Sequence, residues 1–423
     1  VAVDLALWYI HLGVGLLNNA VYAQSGGVTS VINASAYGTL VAALESEEID
    51  SVFAGINGIK GILNENLIDL TGETRSEIDK IPYTPGAIFG SCRTRIESDE
   101  DFDRLFRVFD AHSIRYFFYN GGNDSMDTAH KIHLRARERG FPLQVIGIPK
   151  TVDNDLLETD HCPGYGSAAR FTAISIMEAT RDLRSMYSDS TKVFIMESMG
   201  RHSGWLAASG SLASSDRLHG PQIILLPEVP FKEDSFIEKV EDVIKKEGYC
   251  SIVASEALKR SDGSYISTAG YYDAFGNVQL GKIGQYLEKT IRDSLNCKVH
   301  LALPDYLQRS SRHIASLIDW QEAVEVGALA VREALRGRSG VMVSILRLSD
   351  RPYLKRYSTV DLERVANGTK NLPREFISED GFYVTEEFKS YALPLIQGEA
   401  PNLYLHGLPM YENLARRKAK KLL

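Results

Sequence analysis

Tyr119-Asn120-Gly121-Gly122-Asn123-Asp124-Ser125 and Leu143-Gln144-Val145-Ile146-Gly147-Ile148-Pro149-Lys150-Thr151-Val152-Asp153-Asn154-Asp155 are the two runs on which the fold turns. Each is a short polar loop hung on an apolar run: Ile114 to Tyr119 leads into the first, and Leu143 to Ile148 leads into the second. Between them, Met126 to Arg139 carries a helical pattern. A buried strand that ends in glycines and opens a helix presents backbone N–H groups at a helix N-terminus, which favours phosphate. Three carboxylates, Asp124, Asp153 and Asp155, and the amine of Lys150 stand beside that terminus. Glycines, acids and a base at adjacent strand ends point to magnesium-assisted phosphoryl transfer.

In the second loop Thr151, Asp153 and Asp155 alternate, so an extended backbone would set their side chains on one face. Two carboxylates on one face repel unless a metal or a proton lies between them. One can then face a metal while the other accepts a hydroxyl proton. A hydrogen-bonded Asx turn would also satisfy Asp153-Asn154-Asp155. The adjoining Lys150 and glycine loop favour the chemical reading.

Working outward, strand and helix keep alternating. Val21 to Gln24 reads as a strand, Ser25-Gly26-Gly27 as a glycine turn, and Thr29 to Glu47 as a helix. Ser51 to Ile56 is a second strand, and Glu65 to Pro85 is polar and loop-like. Gly90-Ser91-Cys92-Arg93-Thr94-Arg95 puts two arginines on a small-residue turn, where one can clamp a phosphate or both can be solvated. Asp99 to His112 is a helix. Past the centre, Gly164-Tyr165-Gly166 opens a helix to about Met186, and Lys192 to Met196 is a strand running into Met199-Gly200-Arg201-His202. Gln222 to Leu226, Ser251 to Ser255 (ending at Glu256) and Val299 to Leu303 are further strands. Lys282 to Leu295 and Ile314 to Arg336 are helices, Val341 to Leu346 is a late strand, and the tail to Leu423 is expected to be helical with a basic end, Arg416 to Lys421. The pattern is that of an α/β protein with parallel sheets, two of them.

At 423 residues the chain is long for a single domain. A net charge of −8 with no basic face argues against a nucleic-acid partner, although a locally positive cleft can still take anions. Four scattered cysteines, Cys92, Cys162, Cys250 and Cys297, form no C-x-x-C pair and suit reduced thiols, hence a cytoplasmic location. Val1 to Leu17 is apolar but too short to span a bilayer comfortably and lacks the basic start of a signal peptide, so no membrane association is expected and the segment is read as peripheral.

Taken in order, Ser25-Gly26-Gly27, Gly90 to Arg93, Gly121 to Ser125, Pro149 to Asp155, Met199-Gly200-Arg201, Glu256 and Tyr306 to Arg309 resemble the phosphofructokinase family. The resemblance implies two Rossmann-like α/β domains with mostly parallel sheets facing across an active-site cleft. Residues 18–164 with about 308–360 would bind the phosphoryl donor, and residues 165–307 with about 361–423 would bind fructose 6-phosphate. Family members that use ATP carry glycine in place of Asp124 and of Lys150, whereas members that use inorganic pyrophosphate carry aspartate and lysine there. Both positions here match the pyrophosphate type. A carboxylate at Asp124 would stand where the α-phosphate of ATP must go, and two like charges ~4 Å apart repel by about 4 kcal/mol at an effective dielectric near 20.

The resemblance implies further that Asp153 is the general base on the sugar 1-hydroxyl, with Lys150, Asp124 and Arg201 acting at the transferred phosphoryl group. Gly26, Gly27, Arg93, Gly121, Gly122 and Ser125 would line the pyrophosphate. Thr151, Met199, Gly200, Arg201, Glu256, Tyr306 and Arg309 would hold the sugar phosphate. Mg2+ is the implied cofactor. Asn123 stands where many relatives have a metal-linked aspartate, so Asn123 and Asp124 are the metal-side residues. Tyr306 replaces the histidine usual in ATP-type members, and Lys192 stands where those enzymes place an arginine that reaches a neighbouring subunit's sugar 6-phosphate. A homodimer or higher homo-oligomer is expected. The alternatives are an ATP-dependent phosphofructokinase, another kinase of the same glycine-loop type acting on NAD or a lipid, and a regulatory subunit that binds a sugar phosphate without turnover. Asp124 and Lys150 speak against the first, the sugar motifs against the second, and retention of Asp153 against the third.

Overall fold

The computed structural model describes residues 17–215, 218–272, 278–366 and 368–423. Apart from Leu17, the peripheral segment expected at the N-terminus lies outside them. The first lobe is built on β1 (Asn19–Gln24), β2 (Val52–Gly55), β3 (Leu67–Asp69), β4 (Ile114–Gly121) and β5 (Gln144–Pro149). The second is built on β6 (Val193–Ser198), β7 (Ile223–Leu225) and β8 (Cys250–Ser255), with a hairpin of β9 (Thr268–Tyr272) and β10 (Val278–Leu280), and then β11 (Val299–Ala302). The chain then returns to the first lobe for β12 (Val341–Asp350) and β13 (Tyr353–Asp361).

The larger sheet has seven strands in the order β13-β12-β5-β4-β1-β2-β3, and the smaller has four in the order β11-β6-β8-β7. Every neighbouring pair in the smaller sheet is parallel, and in the larger only the edge strands β3 and β13 run antiparallel. Strands covered on both faces must be apolar throughout, and β1 and β8 are buried at every residue. The expected pair of mostly parallel α/β lobes is therefore what the chain forms.

Helices cover both faces. They include α1 (Ile32–Leu44), α2 (Asp99–Ala111), α3 (Asn123–Glu138), α4 (Tyr165–Met186), α5 (Glu233–Glu247), α6 (Ile283–Leu295) and α7 (Leu317–Leu335). Helix α2 starts where Ser98 accepts the Asp101 N–H at 3.1 Å, with Asp99, Glu100 and Asp101 in the first turn, and it buries Phe102, Leu105, Phe106, Val108 and Phe109. Helix α4 has no side-chain cap of its own. Its first turn is satisfied by Asp319 of α7, which accepts the Gly164 and Ser167 N–H groups at 2.9 Å each. That buried carboxylate ties a helix of the first lobe to the helix leading into the second.

Three expectations are corrected. Residues 65–85 are not a plain loop, since they hold β3 and short helical turns at Arg75–Ile78 and Ile81–Tyr83. Helix α3 begins at Asn123, three residues before the apolar pattern begins at Met126, because Gly122 starts the turn without needing an apolar contact. The tail is helical only in part, with short helices at Leu362–Val365 and Glu386–Ala392, and its basic end is not helical. Asp69 N–H donates to Arg417 O at 2.8 Å and Ala419 N–H to Leu67 O at 3.0 Å, so the basic run lies extended along the open edge of β3. An edge strand offers unpaired backbone groups, and here the tail pairs with them.

Helices α1 and α7 cross at a contact of glycines: a Cβ on Gly38 would lie 2.0 Å from Val324 O, and one on Gly327 would lie 2.1 Å from Ser35 O. Gly38→Ala should therefore push the helices apart, destabilise the fold by about 1–3 kcal/mol and lower the thermal midpoint. An unchanged midpoint would mean that the crossing is loose.

Candidate active site

In the β4–β5 pair Gly121 lies opposite Pro149, so the two loops leave the sheet side by side. The Lys150 N–H donates to Gly121 O at 3.2 Å and joins them. Together with the turn after β1 and the loop after β6, they enclose a cleft of about 410 Å3. On the first-lobe side its wall holds Gly26, Gly27, Arg93, Gly122, Asn123, Asp124, Ser125, Lys150, Thr151 and Asp153. Met199, Arg201, Glu256 and Arg309 close the opposite side.

Three of the expected residues are not in that wall. Gly121 is the last residue of β4, one step back. Gly200 sits behind the wall with its N–H donated to Glu256 Oε1 at 3.2 Å. Tyr306 is 66% exposed, and the Arg309 guanidinium lies 4.2 Å from its ring centroid. Lys192 lies elsewhere, donating to Tyr187 O at 2.6 Å. His202, Ser25 and Thr369 line the cleft unassigned by the sequence reading. His202 at least stood beside Arg201 in its loop, whereas nothing around Thr369 in the sequence marks it.

Lys150 is buried and its Nζ donates to Gly27 O at 2.5 Å. Burial first, and then the nearby Arg309 and Arg93 charges, push its pKa down to about 8 against the pull of Asp153 and Asp155. Gly26 has φ +76°, and a Cβ there would meet Lys150 Nζ at 3.3 Å. A Cβ on Gly27 would strike the Arg309 guanidinium at 2.6 Å. The turn must be glycine for the cations to pack against its backbone.

Asp153 is held well above the ordinary carboxylate range by burial, and further by the Asp155 and Glu256 charges, with Arg201 and Lys150 opposing. Asp155 and Glu256 are also raised by burial. The expected extended run is broken, for Asn154 is left-handed at φ 54° and the Asp153 N–H folds back to Thr151 Oγ1 at 3.1 Å. Asn154 fixes that turn, accepting the Cys162 N–H at 3.0 Å and donating to Tyr391 Oη at 2.9 Å. A turn and a chemical site thus coexist, because Thr151, Asp153 and Asp155 all still reach the cleft.

Asn123 donates to Asp155 Oδ2 at 3.0 Å, while its Oδ1 is buried without a hydrogen-bond partner. An orphaned amide oxygen beside a carboxylate suits a hard cation, which takes oxygen ligands and retains waters. Among the described residues no group of three or more His, Cys, Asp or Glu is assembled for a metal, so donor oxygens would have to come from bound phosphate and water as well. On the other side Gln308 accepts the Met199 N–H at 3.1 Å and donates to Glu197 O at 3.3 Å, fixing the turn that carries Arg309 to the loop that carries Arg201.

Residues 19–334 match the phosphofructokinase family profile. The chain is 48% identical over 411 residues to the pyrophosphate–fructose 6-phosphate 1-phosphotransferase of Xanthomonas campestris pv. campestris, covering 96% of this chain and 98% of that one. It is 46% identical over 410 residues to the enzyme of the same name from Methylococcus capsulatus, with the same coverages of 96% and 98%. The crystal structure of a pyrophosphate-dependent phosphofructokinase from Nitrosospira multiformis superposes with a TM-score of 0.89 at 44% identity, over 96% of this chain and 98% of that one.

If Asp153 must be ionised to act, the acid limb of the pH–rate profile should lie well above the ordinary carboxylate range, with activity lost as pH falls through it. Glu256→Gln removes one of the charges that raise Asp153 and should move that limb to lower pH. A limb that stays in place would show that another group titrates.

Proposed function

This chain belongs to the phosphofructokinase family, and from that premise we propose that it transfers a phosphoryl group from inorganic pyrophosphate to the 1-hydroxyl of fructose 6-phosphate, giving fructose 1,6-bisphosphate and phosphate. The observation that carries the donor assignment is the pair Lys150 and Asp124 in the walls of one cleft. A buried ammonium offers a compact charge to a small, highly charged anion, and a carboxylate occupies the space that a nucleotide would need beyond its terminal phosphates.

In this reading the donor lies on the first lobe, against Gly26, Gly27, Gly122, Ser125 and the first turn of α3, where the helix terminus favours anions. Arg93 and Lys150 hold the phosphoryl group that moves. The sugar lies against Met199, Glu256 and Arg309 of the second lobe, with Thr151 at its reacting end and Gly200, Gln308 and Tyr306 supporting that wall. Asp153 takes the proton of the 1-hydroxyl as its oxygen bonds to phosphorus and the bridging P–O bond breaks. The leaving phosphate departs with the electron pair, and Arg201 and Lys150 balance the charge that shifts toward it. Pyrophosphate and the sugar bisphosphate have similar transfer energetics, so the reaction runs in both directions.

Family identity implies divalent-metal assistance. The residues that would hold Mg2+ are Asn123, through its orphaned Oδ1, and the neighbouring Asp155, because Asp124 of the expected pair is engaged by Arg95. Bound there, the ion would neutralise phosphate charge and orient the donor. Among the described residues no helix is long and apolar enough to cross a membrane. We infer a homodimer or higher homo-oligomer as the working form, which light scattering would test.

Initial rates with fructose 6-phosphate and magnesium should be high with pyrophosphate and negligible with ATP, and comparable rates with ATP would overturn the donor assignment. Asp153→Ala should lower kcat by about 10²–10⁴-fold while fructose 6-phosphate still binds. Near-normal turnover would remove Asp153 from the role of base.

A further inference from the structure

Beyond the residues that touch substrate, we propose that Arg95 is a positioning residue for donor choice: it pins the Asp124 carboxylate across the donor side of the cleft and so sets how many phosphates the cleft accepts. The inference rests on the pyrophosphate reading above. Its observation is independent of it, an ion pair of 2.8 Å between the Arg95 guanidinium and Asp124 Oδ1.

The two arginines of the Gly90 to Arg95 turn divide their work. Arg93 lies in the cleft wall, whereas Arg95 does not and reaches Asp124 from outside it. The turn that carries both is fixed to the glycine turn after β1: Ser91 Oγ donates to Gly26 O at 2.6 Å, and the Gly26 N–H donates to Cys92 O at 3.1 Å. Arg95 is thus mounted on the same frame as the donor loop.

Asp124 is in the first turn of α3, where an unrestrained carboxylate can swing toward the helix amides or out to solvent. Each side chain of the pair is 41% exposed, so the ion pair adds little to fold stability. Its effect is on direction. By cancelling part of the Asp124 charge, Arg95 also lowers the repulsion felt by pyrophosphate itself. Exclusion of a longer donor then rests on filled volume, and volume excludes only if the carboxylate is held in place.

The test reads donor preference as the inhibition constant for ATP divided by the KM for pyrophosphate, a ratio measurable even where ATP is not turned over. It is taken in wild type, Arg95→Gln, Asp124→Gly and the double variant. Arg95→Gln should reduce the preference by about tenfold in the wild-type background, and should not reduce it where Asp124 is already glycine. An equal reduction in both backgrounds would mean that Arg95 acts on the donor directly, and no reduction in the first would mean that it does not position Asp124. Either outcome overturns the proposal. Should Arg95→Gln fail to fold, Arg95→Lys keeps the charge without the rigid fork and should show an intermediate loss with the same dependence on Asp124. A wild-type enzyme that binds ATP as well as pyrophosphate would instead defeat the donor reading itself, a result visible before any variant is made.

Discussion

The cleft depends on keeping an ammonium and two carboxylates out of water at the ends of adjacent parallel strands. Desolvation drives all three toward neutrality, lowering the pKa of Lys150 and raising those of Asp153 and Asp155. The attraction between the ammonium and the carboxylates opposes that drive without cancelling it, while the Asp155 charge adds to it at Asp153, so the site is left with groups that change charge readily. An enzyme that moves a highly charged phosphoryl group and one proton needs groups of that kind, and burial supplies them where a solvated lysine and aspartate would stay fixed in charge.

That burial holds only if two lobes meet closely, and specific hydrogen bonds join them. Asp319 of the first lobe caps the helix that leads into the second. Ser203, in the loop after β6, donates to Asp153 O at 3.1 Å and ties the base to the sugar side. Farther along, Glu228 accepts the N–H groups of Gly204 and Leu372, while the Lys370 N–H donates to Asp155 O at 2.8 Å. The segment around Thr369 is brought to the cleft by these bonds, from a part of the chain beyond the region matched by the family profile.

How legible all this was in the sequence varies by the range of the interaction involved. The strand–loop–helix units at Gly121 to Ser125 and Pro149 to Asp155 were readable because apolar run, glycine and acid follow one another directly, and strand pairing then fixes their proximity. The boundaries of α3 and the turns between residues 65 and 85 were not, since backbone capping and short 3-10 turns leave little hydrophobic period. The basic end of the tail is not legible, because lysine and arginine suit a helix end locally, while an unpaired strand edge far away in sequence offers its backbone a better partner. In the sequence Arg95 is only one of two arginines on a turn. Its pairing with Asp124 is a contact across the fold that no local pattern announces.

The most direct test of this account is the proton balance of donor binding. Calorimetric titration of pyrophosphate at about pH 8, repeated in two buffers of different ionisation heat, gives the protons taken up per site for wild type and for Lys150→Met. With Lys150 half-ionised near that pH in the free cleft, the wild type should take up about half a proton more than the variant as the anion restores the ammonium. Equal uptake by the two proteins would contradict the account, for it would mean that Lys150 does not change charge when the donor binds.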